Sequence, residues 1–178
     1  MVTSFGLTNE ALARAEISTE KMSDFTDINR RYASDVYRFA LYLTGNRSDA
    51  EDITSETFAR LWASTEPIRS QTVKGYLCTI ARNLFLQGLR RQSRRAELPD
   101  HLPDLGAGPQ ERTEQKLELE RVMAQLQKLP ETDRAALLMR AVEDLPYEEI
   151  AIALNIPVST AKVKVHRARL VLALAKDS

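Results

Sequence analysis

The sequence holds one cysteine, Cys78, which excludes an internal disulfide and any cysteine-rich metal site. Histidine is almost as scarce. His101 sits in a proline-rich stretch and His166 in a basic one, far apart in the chain. No HExxH, glycine-rich phosphate loop or paired nucleophile and base occurs, so no catalytic residue, metal or cofactor is expected, and enzymatic chemistry has nothing to stand on. No apolar run approaches the roughly 18–20 residues that span a bilayer. The first residues, MVTSFGLTNEALARAE, lack a basic segment followed by an apolar core, so neither a secretory signal nor membrane insertion is expected. A cytoplasmic location follows as the default. Aromatic residues make up a modest 6%. What remains, 43% hydrophobic and 28% charged over 178 residues, suits a soluble globular chain of one domain or two small ones.

The formal net charge is zero, but the charge is segregated. From Lys74 to Arg95 the basic residues Lys74, Arg82, Arg90, Arg91, Arg94 and Arg95 meet no acidic one. From Ser159 to Ser178, Lys162, Lys164, Arg167, Arg169 and Lys176 face only Asp177. The compensating acid lies mostly between Asp49 and Glu66 and between Glu97 and Glu120. Two separate basic segments imply two contacts with a polyanion, whatever the total.

The clearest pattern runs from Pro146 to Arg169, PYEEIAIALNIPVSTAKVKVHRAR. Pro146 stands where a helix can begin, and Glu148 and Glu149 fall in its first turn, where the helix dipole favours negative charge. Ile150, Ala151 and Leu154 recur at helical spacing. Asn155-Ile156-Pro157 breaks the helix, because Asn tolerates the left-handed conformation and Pro cannot continue a helix. A second helix is predicted from about Ser159, with that serine as N-cap. Its wheel places Val158, Ala161, Val165, Ala168 and Leu172 on one side. Ser159, Thr160, Val163, Lys164 and Arg167 fall on the other, with Lys162 and His166 at its edge. A small-residue inner face and a cationic outer face are what a helix entering the major groove requires, so the stretch reads as a DNA-binding helix-turn-helix. Basic amphipathic helices also occur on ordinary surfaces. Turn chemistry, spacing and face separation together carry the reading.

Residues 1–23 read as an extension, with a short helix from Glu10 to Ile17 at most. From Asp24 to Leu43, Ile28, Tyr32, Val36, Phe39 and Leu43 alternate in steps of three and four, predicting a core helix closed by Gly45 or Asn46. Ser48 and Glu51 then resemble a capping box opening the next helix. That helix places Ala50, Ile53, Thr57 and Leu61 on one side, Asp49, Asp52 and Glu56 on another, and Phe58 and Trp62 on a third. An acidic strip of this kind is ordinary dipole chemistry on a solvated face, or a docking strip for a basic partner protein. Pro67 and Gln71-Thr72 make a connection. A helix from about Thr72 to Arg94 turns Leu77, Ile80, Ala81, Leu84 and Gly88 inward. Tyr76, Thr79, Asn83, Gln87, Arg90 and Arg94 share the opposite stripe, which suits a single strand with unstacked bases or is a solvated basic helix end.

Glu97 to Glu114 holds three prolines, two glycines and few apolar residues, and reads as a flexible acidic linker. Beyond it, Leu119, Val122, Leu126 and Leu129 space a helix that Pro130 ends. Glu131 to Glu143 forms another, with Ala135, Leu138 and Val142 inward. The expected fold is all-α: an N-terminal extension (1–23), a helical domain (24–96), a linker (97–113) and a helix-turn-helix domain (114–178).

These segments together resemble a bacterial RNA polymerase sigma factor of the sigma-70 family, in its compact extracytoplasmic-function group. SDAEDITSETFARLW resembles the helix with which such factors bind the polymerase clamp. YLCTIARNLFLQGLRR resembles the segment that melts and reads the −10 element. LPETDRAALLMRAVEDLPYEEIAIALNIPVSTAKVKVHRARL resembles the −35-reading domain. The resemblance covers about 24–95 and 114–174. It implies core-polymerase contacts at Asp49, Asp52, Glu56, Phe58 and Trp62. It implies −10 contacts at Tyr76, Arg82, Asn83, Gln87, Arg90, Arg91 and Arg94. It implies −35 contacts at Ser159, Thr160, Lys162, Val163, Lys164, His166 and Arg167. Core RNA polymerase, promoter DNA and an anti-sigma protein are the implied partners. Several positions depart from the family's habit. Gln87 stands where aspartate is common, Asn155 where glycine is frequent, and Val163-Lys164 where Ser-Arg is frequent. Lys lacks the bidentate fork of Arg to guanine, so Lys164 is expected to serve a phosphate, and Val163 to touch a thymine methyl. Two other readings stand beside this one: a self-sufficient helix-turn-helix regulator, which would bind an operator without polymerase, and a protein-sequestering adaptor whose basic helices are merely solvated.

Overall fold

The computed structural model describes residues 9–64, 72–95 and 114–176, and the side chains of 24–64, 72–94 and 114–174. It is all-α, with seven helices and no strand among these residues. They are α1 (Asn9–Thr44), α2 (Arg47–Ala63), α3 (Val73–Arg95), α4 (Glu114–Lys128), α5 (Glu131–Ala141), α6 (Tyr147–Leu154) and α7 (Val158–Lys176). The predicted 97–113 linker, and Pro67 and Gln71, lie outside the described residues. By contact the chain divides into two compact units, Met1–Ala33 and Ser34–Ser178.

Helix α1 starts earlier than the apolar spacing suggests. No glycine or proline interrupts residues 7–44, so nothing stops the helix on the N-terminal side of Asp24. In the first unit Arg31 lies 5.6 Å over the ring of Tyr32, its neighbour in the helix. In the second unit α1 buries the stripe Val36, Phe39, Ala40 and Leu43. Gly45 ends it at φ +69, in the left-handed region, with its N–H on the Leu41 carbonyl at 2.8 Å. The expected capping box at Ser48 is not formed. Because Gly45 reverses the chain at once, α2 begins at Arg47, and Asn46 is its cap: Asn46 Oδ1 accepts from the Asp49 N–H at 3.0 Å.

Helix α2 packs on α3, α3 on α6, and α5, α6 and α7 on one another, with α4 against α7. The core side chains Phe39, Leu43, Leu77, Leu138, Met139, Ile150 and Val165 are fully buried. Each contributes about 1.5–3 kcal/mol by leaving water, and trimming Phe39 to alanine costs about 3–5 kcal/mol. On α4 the buried residues are Met123 and Leu126, with Leu129 buried just past its end, while Leu119 and Val122 stay nearly half exposed. The C-terminal half of the expected stripe is buried, and in the N-terminal half Met123 takes the place expected of Val122. On α3, Leu77 and Ala81 are buried, Ile80 and Leu84 half-buried and Gly88 exposed, so the packed face fades before the arginine-rich end.

Candidate nucleic-acid interface

The turn between α6 and α7 has the geometry its residues imply. Asn155 adopts φ 53, ψ 51, and the Ile156 N–H closes back on the Ala151 carbonyl at 3.0 Å. The Pro157 carbonyl accepts from Ala161 N–H at 3.0 Å, so α7 opens at Val158, one residue before the expected start, and Ser159 lies in its first turn rather than at a cap. Ala151 and Ala153 of α6 and Ala161 and Ala168 of α7 are buried, which lets the two helices approach closely. Of the two first-turn acids of α6, Glu148 is exposed, whereas Glu149 is buried and accepts from the Thr72 hydroxyl at 3.4 Å.

The outer face of α7 is open. Ser159, Lys162, His166 and Arg167 are exposed, Thr160 is half-buried, and Val163 is 55% exposed. Lys162 and Arg140 both lie over the Tyr147 ring, at 5.7 and 5.4 Å. Lys164 differs from its neighbours: its ammonium turns inward, 2.9 Å from Oδ1 of buried Asp133.

On α3, Asn83, Arg90, Arg91 and Arg94 are exposed, and Tyr76 and Gln87 half-buried. Arg82 does not stand with them. It is buried and gives a two-pronged bond to Glu131 of α5, Nε to Oε1 at 2.7 Å and a terminal nitrogen to Oε2 at 2.9 Å. On α2, Asp49, Asp52 and Glu56 are exposed and Trp62 is 38% exposed, but Phe58 is only 5% exposed. Phe58 is therefore a core side chain in this state rather than part of an outer aromatic strip. A cleft of about 550 Å³ between α2 and α3 brings Asp52 and Glu56 beside Gln87 and Arg91. Arg60 links its two walls, donating to Glu56 at 3.1 Å and to the Gln87 side-chain oxygen at 3.1 Å.

A polar seam joins α1 and α3 to the loop after α5. The Glu143 carboxylate is fully buried, 3.3 Å from both Arg38 and Lys74, and Asp35 bonds the same two cations at 2.8 and 3.0 Å. Burial alone would raise the Asp35 pKa; Lys74, and then Arg38, outweigh it and hold the carboxyl below its usual value. The same environment raises the pKa of Lys74, again against its desolvation. The adjacent thiol of Cys78 is pushed far up by burial and, next, by the Glu143 charge. Sequence spacing missed Asp35, Arg38, Glu131, Asp133 and Glu143, because a charged residue on an amphipathic helix has the same appearance whether solvated or paired. Among the described residues no cluster of three or more His, Cys, Asp or Glu could hold a metal, and no helix is long and apolar enough to cross a membrane.

Comparison with known proteins agrees with this arrangement. The Sigma-70 region 2 family profile matches residues 28–95, and the Sigma-70, region 4 profile matches 119–172. The chain is 37% identical to the ECF RNA polymerase sigma factor SigE of Mycolicibacterium smegmatis over 83% of its own length, and spans 60% of that relative. It is 30% identical to SigM of Bacillus subtilis, covering 80% of this chain and 89% of SigM. It is 34% identical to EcfG of Rhodopseudomonas palustris, covering 74% of this chain and 73% of EcfG. In fold it is similar to the sigma factor RpoE of Bartonella quintana, solved in complex with the anti-sigma factor NepR, at a TM-score of 0.75 and 24% identity over 86% of this chain and 97% of that one. It is similar also to CnrH, solved with the cytosolic domain of CnrY, at 0.67 and 22% over 92% and 94%. With regions 2 and 4 in order and such relatives covered over most of their length, the chain belongs to the sigma-70 family of RNA polymerase sigma factors, in its extracytoplasmic-function group.

Proposed function

We propose that the chain is a dissociable, non-catalytic promoter-specificity subunit of RNA polymerase that acts in the cytoplasm. Its two halves, 24–96 and 114–178, read separate promoter elements. Asp49, Asp52, Glu56 and Trp62 on α2 dock on core polymerase. Phe58 supports that surface from the core. Asn83, Gln87 and Arg90, with Tyr76, Arg91 and Arg94, capture an unstacked −10 base and its phosphates. The open face of α7 docks on the −35 duplex through Ser159, Thr160, Lys162, Val163, His166 and Arg167. Strand opening is then driven by binding flipped bases and requires no nucleotide hydrolysis. Phosphate contacts supply affinity and base contacts supply sequence, which fits a chain whose cations are gathered on two helices. Arg82 is occupied by Glu131, so its share in −10 binding begins only when that pair opens. A protein that keeps this pair closed would act as an anti-sigma partner.

The observation that carries this reading is the exposed outer face of α7, behind the left-handed turn at Asn155, in one chain with the exposed amide and guanidinium stripe of α3. The test is run-off transcription with purified core polymerase and promoters mapped from transcription start sites after overexpression. A promoter-specific transcript that requires the protein is expected. Transcription no different from core polymerase alone would overturn the proposal. Tight operator binding without polymerase would favour a self-sufficient regulator instead.

A further inference from the structure

We infer that Lys164 is not a DNA contact but the strut that holds α7 on the buried carboxylate of Asp133, so that Asp133 is a positioning residue setting which cations of the recognition helix reach the duplex. The inference rests on the reading of α7 as the duplex-docking helix.

Asp133 lies in the first turn of α5 with its side chain 1% exposed. A carboxylate so placed must be compensated, because an unpaired buried charge is among the costliest arrangements a fold can hold. Lys164 compensates it: Nζ donates to Oδ1 at 2.9 Å, and the Lys164 side chain is only 22% exposed. The other oxygen, Oδ2, is buried without a hydrogen bond, and its nearby cation, Arg167, is 3.5 Å away and 59% exposed. The two cations are therefore unequal. Arg167 can swing to a phosphate and leave Asp133 still neutralised by Lys164. Lys164 can make the same move only by stranding the carboxylate, a loss greater than one solvent-facing phosphate contact returns.

The tether also fixes the rotation of α7. Successive residues on a helix are about 100° apart. With Lys164 held at the α5 edge and Ala161, Val165 and Ala168 buried, Val163 is turned out to solvent, where a base methyl can reach it. A Lys at position 164 is then suited to its place. Its single compact charge at the end of a flexible stem reaches down to one oxygen.

Salt dependence separates the strut from a phosphate contact. Each phosphate neutralised by the protein adds about 0.9 to the slope of log affinity against log salt. The Lys164–Asp133 pair is neutral as a unit and adds nothing. The experiment measures promoter-duplex binding over a salt series, at low temperature so that the strands stay closed. It uses holoenzyme assembled from core polymerase and the full chain, with a promoter identified by the run-off assay. Lys162→Gln serves as the reference and lowers the slope by about 0.9. Asp133→Leu combined with Lys164→Met removes both charges together, so that Arg167 is not drawn to a stranded carboxylate, and is expected to keep the wild-type slope. Asp133→Asn, a neutral isostere that frees Lys164, steepens the slope by up to about 0.9 and decides alone if the double variant fails to fold by circular dichroism. A loss of about 0.9 in the double variant, or an unchanged slope in Asp133→Asn, places Lys164 on a phosphate and overturns the inference. Wild-type holoenzyme that shows no promoter binding overturns the docking reading itself, a different failure.

Discussion

Replacing Glu143 with glutamine, and separately replacing Arg38 and Lys74 together with methionine, perturbs the same seam from opposite sides, and the two should not be equal. At 3.3 Å each cation attracts the Glu143 carboxylate by about 5 kcal/mol at an effective dielectric constant of about 20. Desolvating a side chain with no exposed surface returns most of that, and the net worth of a hydrogen bond to a charged group is about 1.5–3 kcal/mol. Glu143→Gln strands nothing, since Arg38 and Lys74 remain partly exposed and both keep Asp35. A loss of about 2 kcal/mol is expected, which for a chain of this size lowers Tm by about 4–8 °C. Arg38→Met with Lys74→Met leaves a wholly buried carboxylate with neither cation, and should cost about 3–5 kcal/mol. Urea unfolding followed by circular dichroism at pH 7 reads both values. The reasoning is refuted if the double variant is no less stable than Glu143→Gln, because the carboxylate would then be solvated rather than held in the seam.

The remaining predictions are local. Cys78, its thiol pushed up by burial and by the Glu143 charge, should resist a maleimide at pH 8 in the folded protein and react promptly in urea; fast labelling of folded protein would contradict its placement. Gly45→Ala sets a Cβ 2.8 Å from the Gln127 side chain, at a φ of +69 that L residues avoid. About 1–2 kcal/mol of stability should be lost, along with the Gln127 bond to the Tyr42 carbonyl, as read by urea unfolding. Asp35 has a folded pKa below its unfolded value, so its contribution is present above about pH 4 and disappears as pH falls through the folded pKa. Asp35→Asn should therefore be less stable than the native chain at pH 7, with the gap closing below about pH 4; a gap independent of pH would refute the pairing.

The legible parts of this fold were those set by local chemistry. The left-handed turn at Asn155, the glycine stop at Gly45 and the buried stripe of α7 each follow from a residue's own conformational preference or from 3.6-residue spacing. The N-cap of α2 was misplaced by two residues because Gly45 decides how soon the chain can restart, and Ser48 offers a cap that Asn46 has already supplied. Phe58 shows a different limit. A strip of two aromatics on a helix wheel does not say which ring is buried and which meets solvent; the structure buries Phe58 and leaves Trp62 at the rim. The outer stripes of α3 and α7 were visible as faces. Which of their cations are occupied was not, because Glu131 and Asp133 come from another helix, 49 residues from Arg82 and 31 from Lys164.

Those acids give the zero net charge a physical content. Glu131, Asp133 and Glu143 are contributed by α5 and the loop that follows it, and their partners are Arg82, Lys164, Lys74 and Arg38. Each acid is thus set against a cation of a helix proposed to touch DNA or of the helices supporting it. Were these acids solvated, every lysine and arginine of α3 and α7 would present itself to a polyanion, and binding would be strong, salt-sensitive and indifferent to sequence. Paired as they are, they withdraw Arg82 and Lys164. Arg90, Arg91 and Arg94 on α3, with Lys162 and Arg167 on α7, stay exposed. Fewer free phosphate contacts leave a larger share of the discrimination to the groups proposed to meet base edges, Asn83, Gln87 and Val163. On the proposed reading, the internal ion pairs of α5 act on specificity through the cations they remove from the surface, in addition to holding the helices together.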